Sequence, residues 1–189
     1  MSTPAPAPVA VLISGRGSNM QALAAEQGEA YKIVLVASDR PDAAGLAWAR
    51  EQELETFALS PKGIGKAAYE DALDRALRDA GAEWIALAGY MRLLSDAFVA
   101  RWRGRIINIH PSLLPKYKGL DTHARAIAAG DAVGGCSVHV VTEELDGGEV
   151  LSRAEVEIQA GETPESLAAR VLVEEHRLYP AMLKKFVRA

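Results

Sequence analysis

The chain has one cysteine, Cys136, and that scarcity removes two structural options at once. A single thiol closes no internal disulfide, and the sequence around it lacks the neighbours that build a zinc site. A lone thiol fits a reducing compartment, so a cytoplasmic location is expected. Long hydrophobic runs are also missing, and no stretch is long enough to span a bilayer as a helix, so no membrane partner is implied. The opening residues Met1 to Pro8 alternate proline with small side chains and carry neither the basic start nor the apolar core of a secretory signal. A flexible tail over residues 1–8 is expected. Positive charge is not in excess: 21 Lys and Arg stand against 25 Asp and Glu, a formal net charge of -4. That balance argues against broad electrostatic binding to nucleic acid, although a local basic pocket can still hold a phosphate. Internal repeats and Ser/Gly linkers are absent, so nothing marks a second domain.

What is present is an ordinary globular composition, 49% hydrophobic and 24% charged over 189 residues, enough for one buried core and short for two. One domain over residues 9–189 is expected. Short β-rich runs alternate with longer helical patterns, which predicts βαβ units and a mainly parallel sheet. The predicted strands are Val9–Ser14, Ile33–Ser38, Glu55–Ala58, Trp84–Ala88, Ile106–Ile109, Cys136–Val141 and Val150–Ile158. The predicted helices are Asn19–Glu26, Ala43–Gln52, Gly65–Ala80, Ser95–Trp102 and Thr122–Ala129. In the third of these helices the apolar stripe is Ala68, Ala72, Leu73, Ala76, Leu77 and Ala80. Thr163 before Pro164 is a good helix start, and the long helix after it is expected to kink or stop near Pro180. The expected fold class is α/β: a single-domain, three-layer α/β/α sandwich around a mainly parallel, Rossmann-like sheet. In such sheets ligands sit beyond the carboxyl ends of the strands, so the loops after strands carry the functional information.

The first such loop is Ser14-Gly15-Arg16-Gly17-Ser18-Asn19, opening the first helix. Its glycines let a ligand approach the backbone, the free amides of a helix start attract an anion, and Arg16 adds a positive charge. The alternative is a tight turn in which Ser18 or Asn19 merely caps the helix. Met20 stands where a dinucleotide fingerprint needs its third glycine, and no Gly-Lys-Ser/Thr follows, so nicotinamide and nucleoside triphosphate readings weaken. The second loop, Asn108-Ile109-His110-Pro111-Ser112-Leu113-Leu114-Pro115, ends a strand. Alternation puts Asn108 and His110 on one face, an amide donor beside an imidazole, which suits an oxyanion and a proton transfer. The alternative is a satisfied core histidine. The third loop, Thr142 to Gly148, holds Asp146 before two glycines. It reads equally as a hairpin turn or as the source of a carboxylate that orients His110 or accepts its proton.

Together these motifs, in this order and at these separations, resemble the phosphoribosylglycinamide formyltransferase family, within the wider group of 10-formyltetrahydrofolate enzymes. The likeness runs from Val9 to Phe186 and includes Leu87–Leu94, Ser137–Val141 and Glu175–Pro180. The resemblance implies transfer of a formyl group from 10-formyltetrahydrofolate to the amine of 5'-phosphoribosylglycinamide in de novo purine biosynthesis, leaving tetrahydrofolate. It implies small-molecule substrates and no metal; no nucleic-acid partner is expected from the charge balance, and a monomer or a homodimer is expected, with no dimer contacts carried over from the family. It places the acceptor's ribose phosphate on Gly15, Arg16, Gly17, Ser18 and Asn19, with Glu175 near the acceptor. It assigns catalysis to Asn108, His110 and Asp146: the first two stabilise the tetrahedral oxyanion and Asp146 assists proton transfer. The folate is expected against Met91, Arg92, Leu93, Leu94, Asn108, Val141 and Asp146, with Lys66 at its glutamate tail. His123, His139 and His176 are expected to make local hydrogen bonds.

Three departures stand out. Lys66 replaces an Arg common in relatives, which keeps charge and loses bidentate pairing. Asp121 replaces a common His, and the chain stops at Ala189, sooner than some relatives. Two rivals in the superfamily are expected to differ in architecture, since a formyltetrahydrofolate deformylase carries an N-terminal regulatory domain and a methionyl-tRNA formyltransferase an additional C-terminal domain with a basic RNA surface. A non-catalytic sensing module is the rival from another class.

Overall fold

In a computed structural model describing residues 4–189, the chain runs β1 (Ala7–Ile13), α1 (Ser18–Ala25), β2 (Tyr31–Ser38), α2 (Ala44–Glu51), β3 (Thr56–Ala58), α3 (Lys66–Asp79), β4 (Trp84–Leu87), α4 (Asp96–Arg101), β5 (Ile106–His110), α5 (Thr122–Ala128), β6 (Val133–Val140), β7 (Val150–Glu157) and α6 (Pro164–Phe186). β1 shows why the layers form. Val9, Val11 and Ile13 enter one hydrophobic cluster, while Ala10 and Leu12 enter another. A strand apolar on both faces has to be covered on both faces. Met20 and Leu23 of α1, Leu46 and Ala49 of α2, and Leu167, Val171, Tyr179 and Leu183 of α6 cover the first face. Tyr69, Leu73 and Leu77 of α3, with Phe98 of α4, cover the second.

The seven strands lie in the order β3-β2-β1-β4-β5-β6-β7. The first five pair in parallel, and β6 and β7 are antiparallel. The α/β sandwich with a mainly parallel sheet is therefore the fold the chain adopts. From β1 the chain first builds outward through β2 and β3, then returns to β4 on the other side. The crevice above the carboxyl ends of β1 and β4 is thus a switch point, where α/β sheets bind ligands.

Several boundaries differ from the sequence expectation. Residues 1–3 of the expected tail lie outside the described residues, but Ala7 and Pro8 are already strand. The Ala7 amide donates to the Ala30 carbonyl at 3.0 Å and the Pro8 carbonyl accepts from Glu83 at 3.0 Å, so neighbouring strands order them. β5 extends to His110, and β6 starts at Val133 rather than at Cys136. The apolar stripe of α3 buries Leu73 and Leu77 as expected, but Tyr69 joins them where Ala68, Ala72, Ala76 and Ala80 stay at the margin, because the larger side chains take the centre of the interface. Helix α6 does not stop at Pro180; its buried positions continue to Leu183 and hold both halves against the sheet. Thr163 caps it as expected, accepting from the Ser166 amide at 3.1 Å.

Candidate active site

The pairing of β5 with β6 assembles the centre of the site. Ile107 and Ile109 point into the α1/α6 side of the core, so Asn108 and His110 emerge together on the other face. The antiparallel register sets His139 opposite Asn108 and Ser137 opposite His110. The Asn108 side-chain amide lies 3.2 Å from His139 Nε2 and can only donate, so that nitrogen accepts. His139 Nδ1 donates to the Val140 carbonyl at 3.1 Å, the complementary tautomer. Burial pushes the His139 imidazole below the ordinary histidine range, against the opposing pull of the Val140 carbonyl and Asp146. This ring is therefore held neutral.

His110 is 6% exposed, and its Nε2 donates to the Tyr117 carbonyl at 2.9 Å. Nδ1 faces Asp146 Oδ2 at 3.5 Å. A second ring proton turns that contact into an ion pair. Asp146 stands at the tip of the β6–β7 loop in the left-handed region, with φ 49. Its Oδ2 accepts from the Gly119 amide at 2.9 Å and its Oδ1 lies 3.7 Å from His139 Nε2. The carboxylate is thus enclosed by two imidazoles and a backbone amide, which goes beyond what a simple turn requires. Gly148 has to be glycine: a Cβ there would sit 1.8 Å from the Val140 carbonyl oxygen. The loop after β5 is braced around His110. Ser137 Oγ donates to the Ser112 carbonyl and accepts from the Leu114 amide, Thr122 Oγ1 donates to the Pro111 carbonyl, and Arg125 clamps the carbonyls of Lys118 and Leu120.

Gly15, Arg16, Gly17, Ser18 and Asn19 run from the end of β1 into α1. Gly17 is the N-cap in the left-handed region, φ 71, and no side chain caps the helix. The capped-turn alternative is therefore not realised, and the first-turn amides of α1 have no side-chain acceptor. Asn19 turns away instead and donates through Nδ2 to Glu175 Oε2 at 2.8 Å, joining α1 to α6 across 156 residues. Glu175 is 8% exposed, and burial raises its carboxyl above the usual range, with the Asn19 bond working against it. The Asn19 Oδ1 atom is buried with no protein partner.

On the α3 side a cleft of about 640 Å³ opens between the ends of β2, α3 and β4. Its cationic walls are Arg40, Lys62, Lys66 and Arg92, and Met91 adds an apolar edge. Met91 and Leu93 are largely exposed, and Leu94 and Val141 pack against the α3-side core. All the candidate residues thus lie at the carboxyl ends of β1, β4 and β5, in the loop after β6, at the start of α3 or on α6.

Sequence reasoning missed three features. His139 was expected to make only a local hydrogen bond, whereas it orients Asn108. The Asn19–Glu175 bond and the Tyr117 carbonyl partner of His110 were also unforeseen. A signal existed for His139 alone, in its alternation with Ser137 on a predicted strand. His123, on α5, has its imidazole lowered by burial and then by the charge of His110. Among the described residues no group of three His, Cys, Asp or Glu side chains could hold a metal ion. Among the same residues no helix is long and apolar enough to cross a membrane.

An amide, an imidazole and a buried carboxylate stand together at the carboxyl edge of an open α/β sheet, where such sheets bind ligands, beside an uncapped helix start. The family model for formyl transferase matches residues 7–183, and the chain belongs to that family. It is similar to the phosphoribosylglycinamide formyltransferase of Escherichia coli K12, 43% identical over 182 residues, covering 94% of this chain and 86% of that protein. The solved phosphoribosylglycinamide formyltransferase of Brucella melitensis superposes with a TM-score of 0.92 at 49% identity, covering 97% of each chain. The trifunctional purine biosynthetic protein adenosine-3 of Bos taurus is 40% identical over 185 residues, but the chain spans only 18% of that protein's length.

Proposed function

We propose that the protein transfers the formyl group of 10-formyltetrahydrofolate to the amine of 5'-phosphoribosylglycinamide, a step of de novo purine biosynthesis. The observation that carries this reading is the His110–Asp146–His139–Asn108 cluster standing between an uncapped helix start and a cationic cleft. The Gly15–Asn19 loop receives the acceptor's phosphate on the free amides of α1, with Arg16 adding charge and Glu175 meeting the polar part of the acceptor. The donor lies against Met91, Arg92, Leu93, Leu94 and Val141, and its anionic tail faces Lys66. The chemistry of these walls fits such a donor: apolar surface for a ring system and cations for its carboxylates.

In the reaction a bond forms between the acceptor nitrogen and the formyl carbon, and the bond from that carbon to the donor nitrogen breaks. The acceptor amine loses one proton and the donor nitrogen gains one. Asn108 retains a free amide hydrogen after its bond to His139, and this hydrogen stabilises the charge that builds on the formyl oxygen. His110 Nε2 is occupied by the Tyr117 carbonyl, so a second donor to the formyl oxygen has to come from a proton carried at Nδ1, where Asp146 at 3.5 Å assists the proton transfer. No step calls for a metal. The form proposed is a monomer or a homodimer acting in the cytoplasm.

The test is incubation with 10-formyltetrahydrofolate and glycinamide ribonucleotide. Stoichiometric tetrahydrofolate and formylated acceptor support the reading. Formate released without formylated acceptor would make the protein a deformylase, and binding of both ligands without turnover would make it a sensing module.

A further inference from the structure

We infer that Ser14, held by Asp39, is a positioning residue that fixes the donor-binding segment to the acceptor loop. The inference rests on the assignment of Met91 to Leu94 to the donor. Ser14 directly precedes Gly15 and is 3% exposed. Its oxygen accepts from the Met91 amide at 2.9 Å, and its proton goes to Asp39 Oδ1 at 2.6 Å. The direction is forced, because the Met91 amide can only donate and the hydroxyl has one proton to give. The three residues follow β1, β2 and β4, so one hydroxyl stitches together three strand ends at the switch point.

The geometry has a purpose that packing alone does not require. β4 ends at Leu87, so the Met91 amide lies beyond the sheet ladder and depends on this hydroxyl. The same segment is pinned from the other side, where Tyr90 and Tyr69 share a hydroxyl–hydroxyl bond of 2.8 Å and Arg92 stacks over the Tyr69 ring at 5.8 Å. Loss of the Ser14 hydroxyl releases one of these two anchors. It also frees the Asp39 carboxylate at the edge of a cleft whose cations are proposed to meet the donor's own carboxylates. Both effects weaken the donor and leave the chemistry at His110 alone.

The experiment compares unaltered protein with Ser14→Ala, Asp39→Asn and Asp39→Ala, measuring KM for each substrate, kcat, Tm and exchange of the Met91 amide. Ser14→Ala should raise the donor KM roughly tenfold, with kcat and acceptor KM within about twofold. Asp39→Asn keeps an oxygen for the Ser14 proton and should raise the donor KM less than about threefold, while Asp39→Ala should match Ser14→Ala. Met91 amide exchange should accelerate in the two alanine variants. A folded Ser14→Ala protein with unchanged donor KM beside an active unaltered protein overturns this inference alone. Absence of turnover in the unaltered protein overturns the formyl-transfer reading and this one with it. Should Ser14→Ala fail to fold, the Asp39 pair decides, and equal donor KM in Asp39→Asn and Asp39→Ala overturns the inference.

Discussion

Asn108 donates its side-chain amide to Nε2 of His139, and the same β5–β6 register sets these two residues directly opposite each other. An amide rotor at a strand end is free to flip unless something distinguishes its oxygen from its nitrogen. His139, donating from Nδ1 to Val140, presents a lone pair at Nε2 and so selects the nitrogen. The remaining amide hydrogen is then aimed rather than averaged.

His139→Leu removes that selection and should lower kcat by roughly 10-fold to 100-fold, with both KM values within about threefold. The pH dependence follows from the same ring. Below its lowered folded value His139 gains a proton at Nε2 and can no longer accept from Asn108. A histidine depressed in the folded state is protonated more readily when unfolded, so its stability contribution is full above about pH 6.5 and falls as pH drops below that. His123 and His176 are depressed by burial in the same sense. Thermal melts should show Tm falling from pH 7 to pH 5, and the fall should be shallower in His139→Leu. An unchanged slope would mean that the buried ring carries none of it.

Glu175 works in the opposite direction, since burial raises its carboxyl in the folded state. Its stability contribution is full below the ordinary glutamate value and is lost as pH rises through the raised one. Glu175→Gln keeps an oxygen for Asn19 and removes the buried charge. It should raise stability at pH 8 by about 1 kcal/mol, or roughly 2–4 °C in Tm, and leave it unchanged near pH 4. The acceptor KM should rise about tenfold if Glu175 meets the acceptor. A melt that gains nothing at pH 8 would show that the carboxylate is well solvated.

How much was legible can be argued from single residues. The β-rich run Val9–Ser14 and its alternation with helical patterns along the chain are local signals, and they foretold a layered α/β sheet. Asn108 and His110 two residues apart likewise announced a shared face. Asn19 and Glu175 are 156 residues apart, and no local period brings them together. The Ser14–Met91 bond and the orientation of His139 are hidden for the same reason: both depend on which strands become neighbours and in what register. The α3 stripe was legible at Leu73 and Leu77, whereas Tyr69 was missed because alanines mark a helical face without saying which other large side chain will share its centre.

Gly17 tests the acceptor loop. Its φ of 71 is strained for any side chain, and a Cβ would lie 2.7 Å from Met20 Cε. Gly17→Val should therefore displace the first turn of α1 and raise the acceptor KM by about 100-fold or more, with the donor KM much less affected. Arg16 is exposed, and Arg16→Ala should cost threefold or so. The dephosphorylated riboside should be a poor acceptor with the unaltered protein. Equal efficiency with the riboside would remove the phosphate from this loop.

Lys66 is exposed and shares its cleft with Arg40, Lys62 and Arg92. Any one cation there is backed by others and screened by solvent. Lys66→Ala should raise the donor KM only about twofold to fivefold, leave kcat alone, and matter less at high salt. Loss of kcat with an unchanged donor KM would put Lys66 nearer the reacting atoms.

Asp146 carries the sharpest test, because its loop could be read as a hairpin turn and its carboxylate sits between two imidazoles. Asp146→Asn is nearly isosteric, and Asn tolerates the left-handed φ of 49. It keeps an oxygen for the Gly119 amide, so the loop contact at 2.9 Å survives while the negative charge facing His110 at 3.5 Å disappears. A residue that only shapes the turn would leave activity intact. A residue that sustains the proton on His110 should lower kcat by roughly 100-fold or more, the scale of losing a general acid–base partner, with both substrates still bound. His110→Asn alone should cost a comparable factor. The double variant should lose much less than the product of the two factors, because the second change removes a group whose partner is already gone. The measurement is kcat for the three variants with acceptor affinity by calorimetry. A fully active, normally folded Asp146→Asn protein would return this residue to the turn, and strictly multiplicative losses would uncouple it from His110.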